Sequence, residues 1–209
     1  GQDGGGIFNA AVNVRTAVTV VDSTIADNGA TNGGGGIGNF GGDVFITGST
    51  IRDNAGDKYA GGLWNMANGS LLALTNSTVS GNENHFSYAG GIWNQRGVAR
   101  LHSVTIADNH AGAGGDRGIG GGIANDPGST LEIGNSIVAG NAATDGVGPD
   151  CYDGGGANTV TSLGYNLIGV VDAECTLSGA TTGNVTDIAA KLGALANNGG
   201  PTATHAPQA

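Results

Sequence analysis

The fold is decided by a segment that recurs along the chain and is clearest in residues 61–82, which read GGLWNMANGSLLALTNSTVSGN. The segment opens with the motif Gly-Gly-apolar-x-Asn and closes with a motif of the type Ser-Thr-apolar-x-x-Asn, where x is any residue. The opening motif recurs at residues 5–9, 35–39, 61–65, 90–94 and 121–125. The closing Asn falls at positions 28, 54, 82, 109 and 141, so the period is 26 to 32 residues. A repeat of this length is typical of solenoid proteins, in which each copy stacks on the next.

The spacing of apolar residues within a copy indicates strands rather than helices. In the quoted segment Leu72 and Leu74 are two positions apart, which places both on one face of a strand. A helical solenoid would space its apolar residues by three and four positions. Aligning the copies gives four apolar columns, and stacked strands would place neighbouring members of a column about 4.8 Å apart. We therefore predict an all-β fold, a right-handed parallel β-helix (a solenoid) of about five to six coils.

Two polar columns accompany the apolar ones. The first lies where each coil must bend, and Gly, Asn and Asp tolerate the left-handed conformation that such a bend needs. Its members are Asp22, Gly48, Asn76, Ser103 and Asn135. The second column contains the closing asparagines, whose amides can hydrogen-bond from coil to coil in a structural ladder. Its members are Asn28, Asn54, Asn82, Asn109 and Asn141.

The repeat divides the chain into parallel β-helix coils, residues 1–169, and a C-terminal capping segment of the same domain, residues 170–209. Within the capping segment, residues 187–196 favour a short helix with Thr186 or Asp187 as its N-cap. The Asn-Gly-Gly-Pro sequence that follows is typical of a turn. We expect the capping segment to cover the last coil.

The chain has two cysteines, Cys151 and Cys175, and both lie in its C-terminal part. An even count without C-x-x-C spacing favours one disulfide, which would indicate an oxidising compartment. The alternative is two free, buried thiols.

Composition and charge narrow the range of partners. The 43 Gly residues recur at fixed places, which favours a folded repeat over low-complexity sequence. The formal net charge is −10, and only seven residues are Lys or Arg. Binding to phosphates needs clustered positive charge, so we expect no nucleic-acid partner and no binding to an anionic membrane surface. No apolar run approaches the roughly 20 residues of a membrane span, so we expect no membrane insertion in this segment. The chain begins at Gly1, as a processed product or a fragment would.

The repeat resembles that of polymorphic outer-membrane proteins, a β-helix repeat with Gly-Gly-Ile and x-x-Asn signatures. In the order of its C-terminal motifs, the chain also resembles bacterial choice-of-anchor Q surface proteins. These motifs are Ser136-Ile137-Val138-Ala139-Gly140-Asn141, Asp150-Cys151, Ser162-Leu163-Gly164-Tyr165-Asn166-Leu167-Ile168-Gly169, Cys175 and LGALANNGGPT at residues 192–202. The resemblance covers nearly the whole chain. It implies a large exported bacterial protein that is held at the surface by a separate anchor, without an established enzymatic activity.

Four aromatic residues form the first candidate site. Trp64 and Trp93 hold the same position in successive copies, each one residue after an inward-facing apolar residue, so their side chains should point outward. Tyr59 and Tyr88 are also equivalent, five residues before the Trp of their copy. Together they would form a platform for glycan rings, because exposed aromatic surface often marks an interaction site. The alternative is that the loops carrying the two Tyr fold over and bury the Trp side chains.

Stacked carboxylates are the second candidate. Asp27 and Asp53 are equivalent on adjacent copies, and Asp108 shares their column. Coil stacking gives such residues the spacing of about 5–5.5 Å that retaining glycosidases use. Every column acquires that spacing, however, and an enzyme also needs a cleft with a perturbed carboxyl. We therefore assign no catalytic residue and favour a non-enzyme.

Calcium is the third candidate, because the chain offers hard oxygen ligands. The acidic residues concerned are Asp43, Asp53, Asp57, Asp116, Asp145, Asp150 and Asp153. We favour solvated surface acids, since the sequence lacks the Gly-Gly-x-Gly-x-Asp series of calcium-binding repeats. The four His residues have no metal-ligand spacing. We therefore predict no metal site and no cofactor.

These observations favour a non-catalytic extracellular structural protein, secreted or at the cell surface: a surface stalk, an adhesin segment or a self-stacking filament subunit. Uncapped solenoid ends expose strand edges that recruit further strands, so end-to-end self-association is one expected interaction. The alternative is a module that binds polysaccharide or cell-surface glycan, or a polysaccharide-degrading lyase or hydrolase, using the loop side of the β-helix. The negative charge counts against an acidic glycan as substrate.

Overall fold

The computed structural model describes residues 3–115, 117–144, 146–154 and 160–208. These residues form an all-β parallel solenoid of six coils, none of them is helical, and an antiparallel hairpin follows the coils. The predicted all-β parallel solenoid is therefore confirmed.

Each of the first five coils contains four strands. Coil 1 has β1 (Ile7–Ala10), β2 (Ala17–Val21), β3 (Thr24–Ala26) and β4 (Gly29–Ala30). Coil 2 has β5 (Ile37–Phe40), β6 (Asp43–Thr47), β7 (Thr50–Arg52) and β8 (Ala55–Gly56). Coil 3 has β9 (Leu63–Met66), β10 (Leu71–Thr75), β11 (Thr78–Ser80) and β12 (Glu83–Asn84). Coil 4 has β13 (Ile92–Gln95), β14 (Val98–His102), β15 (Thr105–Ala107) and β16 (His110–Ala111). Coil 5 has β17 (Ile123–Asn125), β18 (Thr130–Gly134), β19 (Ile137–Ala139) and β20 (Ala142–Ala143).

The later strands complete the stack and then leave it. Coil 6 has β21 (Cys151–Tyr152), β22 (Val160–Leu163) and β23 (Leu167–Ile168). An incomplete seventh turn follows, with β24 (Leu177–Ala180) and β25 (Val185–Thr186). The hairpin consists of β26 (Leu192–Ala196) and β27 (Thr204–Pro207).

Equivalent strands of successive coils pair in parallel and form four sheets. The first sheet contains β1, β5, β9, β13, β17 and β21, and the second contains β2, β6, β10, β14, β18, β22 and β24. The third contains β3, β7, β11, β15, β19, β23 and β25, and the fourth contains β4, β8, β12, β16 and β20. The register follows the repeat, so that Leu72 pairs with Val44 on one side and Ala99 on the other. A residue that recurs at one motif position therefore forms a column through the molecule.

The core consists of the four apolar columns. Members from the inner coils are at most 1% exposed, and they include Ile37, Leu63, Ile92 and Ile123 from the first sheet and Ile51, Val79, Ile106 and Val138 from the third. The second sheet contributes two columns, among them Val44, Leu72, Ala99 and Leu131 and, two positions later, Ile46, Leu74, Leu101 and Ile133. Burying one such large aliphatic side chain contributes roughly 1.5–3 kcal/mol, so each added coil extends the core by several favourable contacts.

The predicted bend column adopts the left-handed conformation. The φ angles of Asp22, Gly48, Asn76, Ser103 and Asn135 lie between 46° and 59°. A second bend column follows the third sheet, with φ between 52° and 76° at Asp27, Asp53, Gly81, Asp108 and Gly140. Asn, Asp and Gly dominate both columns because they adopt this conformation at the lowest cost.

The predicted ladder of closing asparagines is present. Each Nδ2 donates to the Oδ1 of the Asn in the next coil at 2.9 to 3.0 Å, from Asn28 to Asn141. The same Oδ1 atoms accept the backbone N–H of the preceding ladder residue. The ladder ends on Asp150, whose Oδ1 accepts Asn141 Nδ2 at 2.9 Å. Burial raises the pKa of Asp150, against the lowering effect of hydrogen bonds from Asn141 and Val170.

A second amide ladder, which sequence reasoning missed, follows the Asn of the Gly-Gly motif. Its side chains are linked at 2.7 to 2.9 Å, in the order Asn9, Asn39, Asn65, Asn94 and Asn125. The signal was present, because each of these Asn residues lies two positions after an inward-facing apolar residue and so shares its face. A buried Asn in every coil must find partners, and the next coil supplies one.

The C-terminal region differs from the sequence prediction. The helix predicted over residues 187–196 is wrong, because Leu192–Ala196 is a strand that pairs antiparallel with Thr204–Pro207. The hairpin lies along the third sheet, where Thr50 Oγ1 donates to the Ala203 carbonyl at 2.6 Å. Ser80 Oγ and His205 Nε2 are 2.8 Å apart in a buried hydrogen bond. An isolated helix of this length is marginal in water, so these tertiary contacts determine the local structure.

The predicted disulfide is present and joins Cys151 in β21 to Cys175, just before β24. Both residues are buried in the apolar core at the end of the stack. The bond links the sixth coil to the incomplete seventh turn.

Candidate functional site

The four predicted aromatic residues lie together on the outer face of the first sheet. Trp64 and Trp93 are paired in register on adjacent strands. Tyr59 stacks on Trp64 with ring centroids 4.7 Å apart and planes at 16°, and Tyr88 stacks on Trp93 at 4.7 Å and 10°. Each Tyr comes from the loop that precedes its Trp, so the loops fold over the sheet.

This stacking buries the two indoles and leaves them 5% and 4% exposed. The Trp side chains point outward from the core, as predicted. The loops that carry the two Tyr residues nevertheless bury the indoles, which was the alternative to an exposed platform. The Tyr rings are half-buried. Any ligand on this face would therefore meet Tyr59 and Tyr88 before either Trp.

Hydrogen bonds hold the indoles in place. Trp64 Nε1 donates to Gln95 Oε1 at 3.3 Å, and Trp93 Nε1 donates to Asp126 Oδ1 at 2.9 Å. Burial raises the pKa of Asp126, while the hydrogen bond from Trp93 and the charge of Arg96 oppose that rise. Both Trp–Tyr stacks are thus fixed structural units of this face.

An open groove of about 510 Å³ lies beside the first of these stacks, over coils 1 to 3. Its lining residues are Asp3, Phe8, Ala10, Val12, Asn32, Phe40, Tyr59, Trp64 and Met66. Phe8 is 45% exposed and Phe40 is 38% exposed. Neither Phe is among the predicted site residues, although Phe8 shares the column of the two Trp residues. The signal for Phe40 is its position two residues after Gly38 in β5, which puts it on the same outer face.

The stacked carboxylates belong to bend residues of the coils, and two of them lie beside Arg52 at the surface. Asp27, Asp53 and Asp108 occupy left-handed bend positions, as described above. Arg52 bonds to the Asp53 carboxylate and lies 3.7 Å from that of Asp27, whose side chain is 72% exposed. Asp27 therefore lies in open solvent and not in an enclosed cleft.

Most acids considered as calcium ligands have other partners. Asp43 pairs with Arg15, whose Nε donates at 2.8 Å, and Asp57 Oδ1 lies 2.9 Å from His85 Nδ1. The buried Asp153 accepts a hydrogen bond from the backbone N–H of Thr176. Within the described parts of the chain, no three His, Cys, Asp or Glu residues cluster in a way that could hold a metal ion. Asp53 and Asp150 have the partners given above, Arg52 and Asn141. The remaining two candidates, Asp116 and Asp145, lie outside the described residues.

No protein family, curated protein or solved structure matches the chain. The fold therefore places it as a parallel β-solenoid of six coils without assigning a family. Among the residues that the structure describes, no helix is long and apolar enough to cross a membrane.

Proposed function

We propose that the chain is a non-catalytic extracellular structural segment, part of a stalk in a bacterial surface protein of the choice-of-anchor Q type. The observation that carries the proposal is the pair of buried amide ladders, which link neighbouring coils along the solenoid. Satisfied buried polar networks rigidify a core and specify one arrangement. A stack of such coils holds its ends at a fixed separation, about 4.8 Å for each coil, as a surface stalk requires.

The disulfide supports an extracellular location, secreted or at the cell surface. Such bonds persist in oxidising compartments and are rare in the reducing cytosol. The Cys151–Cys175 bond is buried in the core, where it closes the end of the stack. The order of the C-terminal motifs, which resembles that of anchored surface proteins, supports the same location.

The arrangement of the acids supports a non-catalytic role. Asp27 and Asp53 are exposed bend residues beside Arg52. The two described acids whose pKa burial raises, Asp126 and Asp150, are held by hydrogen bonds within the fold. Neither of them lines the aromatic groove.

Surface labelling tests this proposal. Antibody against the chain should label intact, unpermeabilised cells of the source, and a non-reducing digest should contain the linked Cys151 and Cys175 peptides. The purified chain should release no oligosaccharide from a panel of polysaccharides. Protein confined to the cytosol with free thiols would contradict the extracellular role, and released oligosaccharides would contradict the non-catalytic one.

End-to-end assembly is a second candidate, favoured by the edge of the seventh turn. Among the described strands, β24 and β25 are the last members of their sheets and have one neighbour each. An open cavity of about 510 Å³ at this end is lined by Val171, Cys175 and Leu177, among others. Exposed edges of this kind recruit further strands. Sedimentation should then show concentration-dependent association that Leu177→Lys weakens, whereas monomers at all concentrations would contradict assembly.

A further inference from the structure

The groove over coils 1 to 3 is a surface feature that a structural role does not use. From its lining we infer that the groove binds a neutral polysaccharide chain by stacking pyranose rings on Phe8, Phe40 and Tyr59. This function is additional to the proposed stalk and does not depend on it.

The three rings lie on successive coils, with Phe8 in the column of Trp64, Tyr59 stacked on Trp64, and Phe40 displaced by two residues along its strand. Phe8 belongs to coil 1 and Phe40 to coil 2, while Tyr59 comes from the loop that enters coil 3. Two coil steps span about 9.6 Å, a length comparable to that of a disaccharide. The rings therefore offer consecutive apolar surfaces to an extended chain, and the apolar face of a pyranose can pack on each.

The groove is ordered before any ligand binds. Tyr59 stacks on Trp64, whose indole N–H is bonded to Gln95. A Cβ at position 38 would collide with the Asp3 carbonyl and lie 3.0 Å from Phe8 Cδ2. Gly38 thus allows Asp3 and Phe8 to lie close against coil 2. A site that is already ordered loses less conformational entropy on binding.

The polar groups of the groove suit sugar hydroxyls. Asp3 and Asn32 line it beside the aromatic residues. A carboxylate accepts hydrogen bonds, and an amide both accepts and donates them, as hydroxyl groups require. A mostly apolar groove with a few polar groups is the usual composition of a ligand site.

Charge selects a neutral glycan over an acidic one. Among the described residues, the groove lining includes Asp3 and no Lys or Arg. The whole chain carries a formal net charge of −10. An anionic polysaccharide would meet a repulsive field along this surface, whereas a neutral chain would not.

Affinity gel electrophoresis with embedded polysaccharides tests the inference. The neutral panel is β-glucan, xylan, mannan and galactan, and the anionic panel is polygalacturonate and hyaluronan. We expect at least one neutral polymer to retard the wild-type chain and neither anionic polymer to do so. Calorimetry with an oligosaccharide of the retarding polymer should show that Phe8→Ala and Phe40→Ala each weaken binding by about tenfold or more.

Two matched variants control for non-specific effects. Phe45→Ala removes a ring of the same 38% exposure from the second sheet, and Tyr88→Ala removes the equivalent Tyr from the stack outside the groove. Both should bind within about twofold of wild type, and circular dichroism should show that all four variants are folded.

Three results would overturn the inference. The first is that no neutral polymer retards the chain. The second is that Phe8→Ala and Phe40→Ala bind as tightly as wild type, and the third is that an anionic polymer retards the chain more strongly than any neutral polymer does. Self-association that Phe40→Ala abolishes, without glycan binding, would assign the groove to a second copy of the chain instead. Surface labelling of cells is independent of all these results, so the stalk proposal and this one fail separately.

Discussion

Replacing Asn82 by Ala should destabilise the solenoid strongly, because this side chain lies in the middle of the closing-Asn ladder. Its Oδ1 accepts the backbone N–H of Asn54 at 3.1 Å and Asn54 Nδ2 at 2.9 Å. Its Nδ2 donates to Asn109 Oδ1 at 2.9 Å and to two backbone carbonyls. The residue is completely buried, so water cannot replace these partners.

The size of the effect follows from the groups left behind. In Asn82→Ala, the backbone N–H of Asn54 loses its acceptor within the core, and an unsatisfied buried donor costs about 1–3 kcal/mol. The remaining lost hydrogen bonds add to this, so the free energy of unfolding should fall by about 3 kcal/mol. Asn28 begins the same ladder and is half-buried. Asn28→Ala should therefore lose only about 1 kcal/mol.

Equilibrium unfolding in guanidinium chloride measures both values. Circular dichroism and the fluorescence of the buried Trp64 and Trp93 should report coincident transitions if unfolding is two-state. Asn82→Asp provides a sharper test. It keeps the shape of the side chain but replaces the donating Nδ2 with an oxygen, which then faces three oxygen acceptors. It should be less stable than Asn82→Ala at neutral pH, by an amount that shrinks as pH falls and the introduced carboxyl becomes neutral. Equal losses for Asn82→Ala and Asn28→Ala, or wild-type stability of Asn82→Asp, would show that the buried ladder does not stabilise the solenoid in this way.

Three further predictions concern the disulfide, a motif glycine and a buried acid. Reducing the disulfide, whose cysteines are 24 residues apart, should lower the free energy of unfolding by about 3.5 kcal/mol, and unfolding with and without reductant measures this. Gly61→Ala should lower the free energy of unfolding by about 1–3 kcal/mol, because the new Cβ would lie 2.5 Å from two carbonyl oxygens. At Gly29 the nearest atom is 3.9 Å from such a Cβ, so Gly29→Ala should be tolerated. Equal melting temperatures of the two variants would contradict this. Burial raises the pKa of Asp126, so the fluorescence of its donor Trp93 should titrate with a midpoint above the ordinary value of about 3.9. Asp126→Asn should abolish that titration, and a midpoint at or below the ordinary value would contradict the burial.

The coils were predictable because each structural requirement recurs at one position of the repeat. Leu72 and Leu74 indicate a strand through their spacing alone, and the other copies confirm the column. Asn76 and Ser103 share a bend position with Gly48, and a Gly in that column indicates the left-handed conformation. Parallel stacking then follows without information from outside the sequence.

The features that sequence reasoning left open or missed depend on how separate segments meet. The burial of Trp64 is decided by the path of the loop that carries Tyr59. The strand at Leu192–Ala196 is decided by its pairing with the second half of the hairpin, which is hydrogen-bonded to the third sheet, more than a hundred residues earlier in the chain. The groove between Phe8 and Phe40 arises from two coils and a loop, and no single motif contains it. The repeat therefore predicts how the coils stack, whereas it does not predict the paths of the loops and of the C-terminal hairpin.

Successive coils stack in parallel register, and electron spin resonance can measure that stacking directly. Thr19, Phe45, Ala73, Arg100, Glu132 and Thr161 are consecutive members of one outward column of the second sheet. Both native cysteines are in the disulfide, so introduced cysteines can carry the labels.

Pairs of labels at position 19 and at position 100, 132 or 161 span three, four and five coils. Their distances should be about 14, 19 and 24 Å, an increase of about 4.8 Å for each coil, broadened by the label arms. A linear increase of this size would establish the solenoid and the register on which both ladders and the groove depend. Distances that do not grow with the number of coils would contradict it.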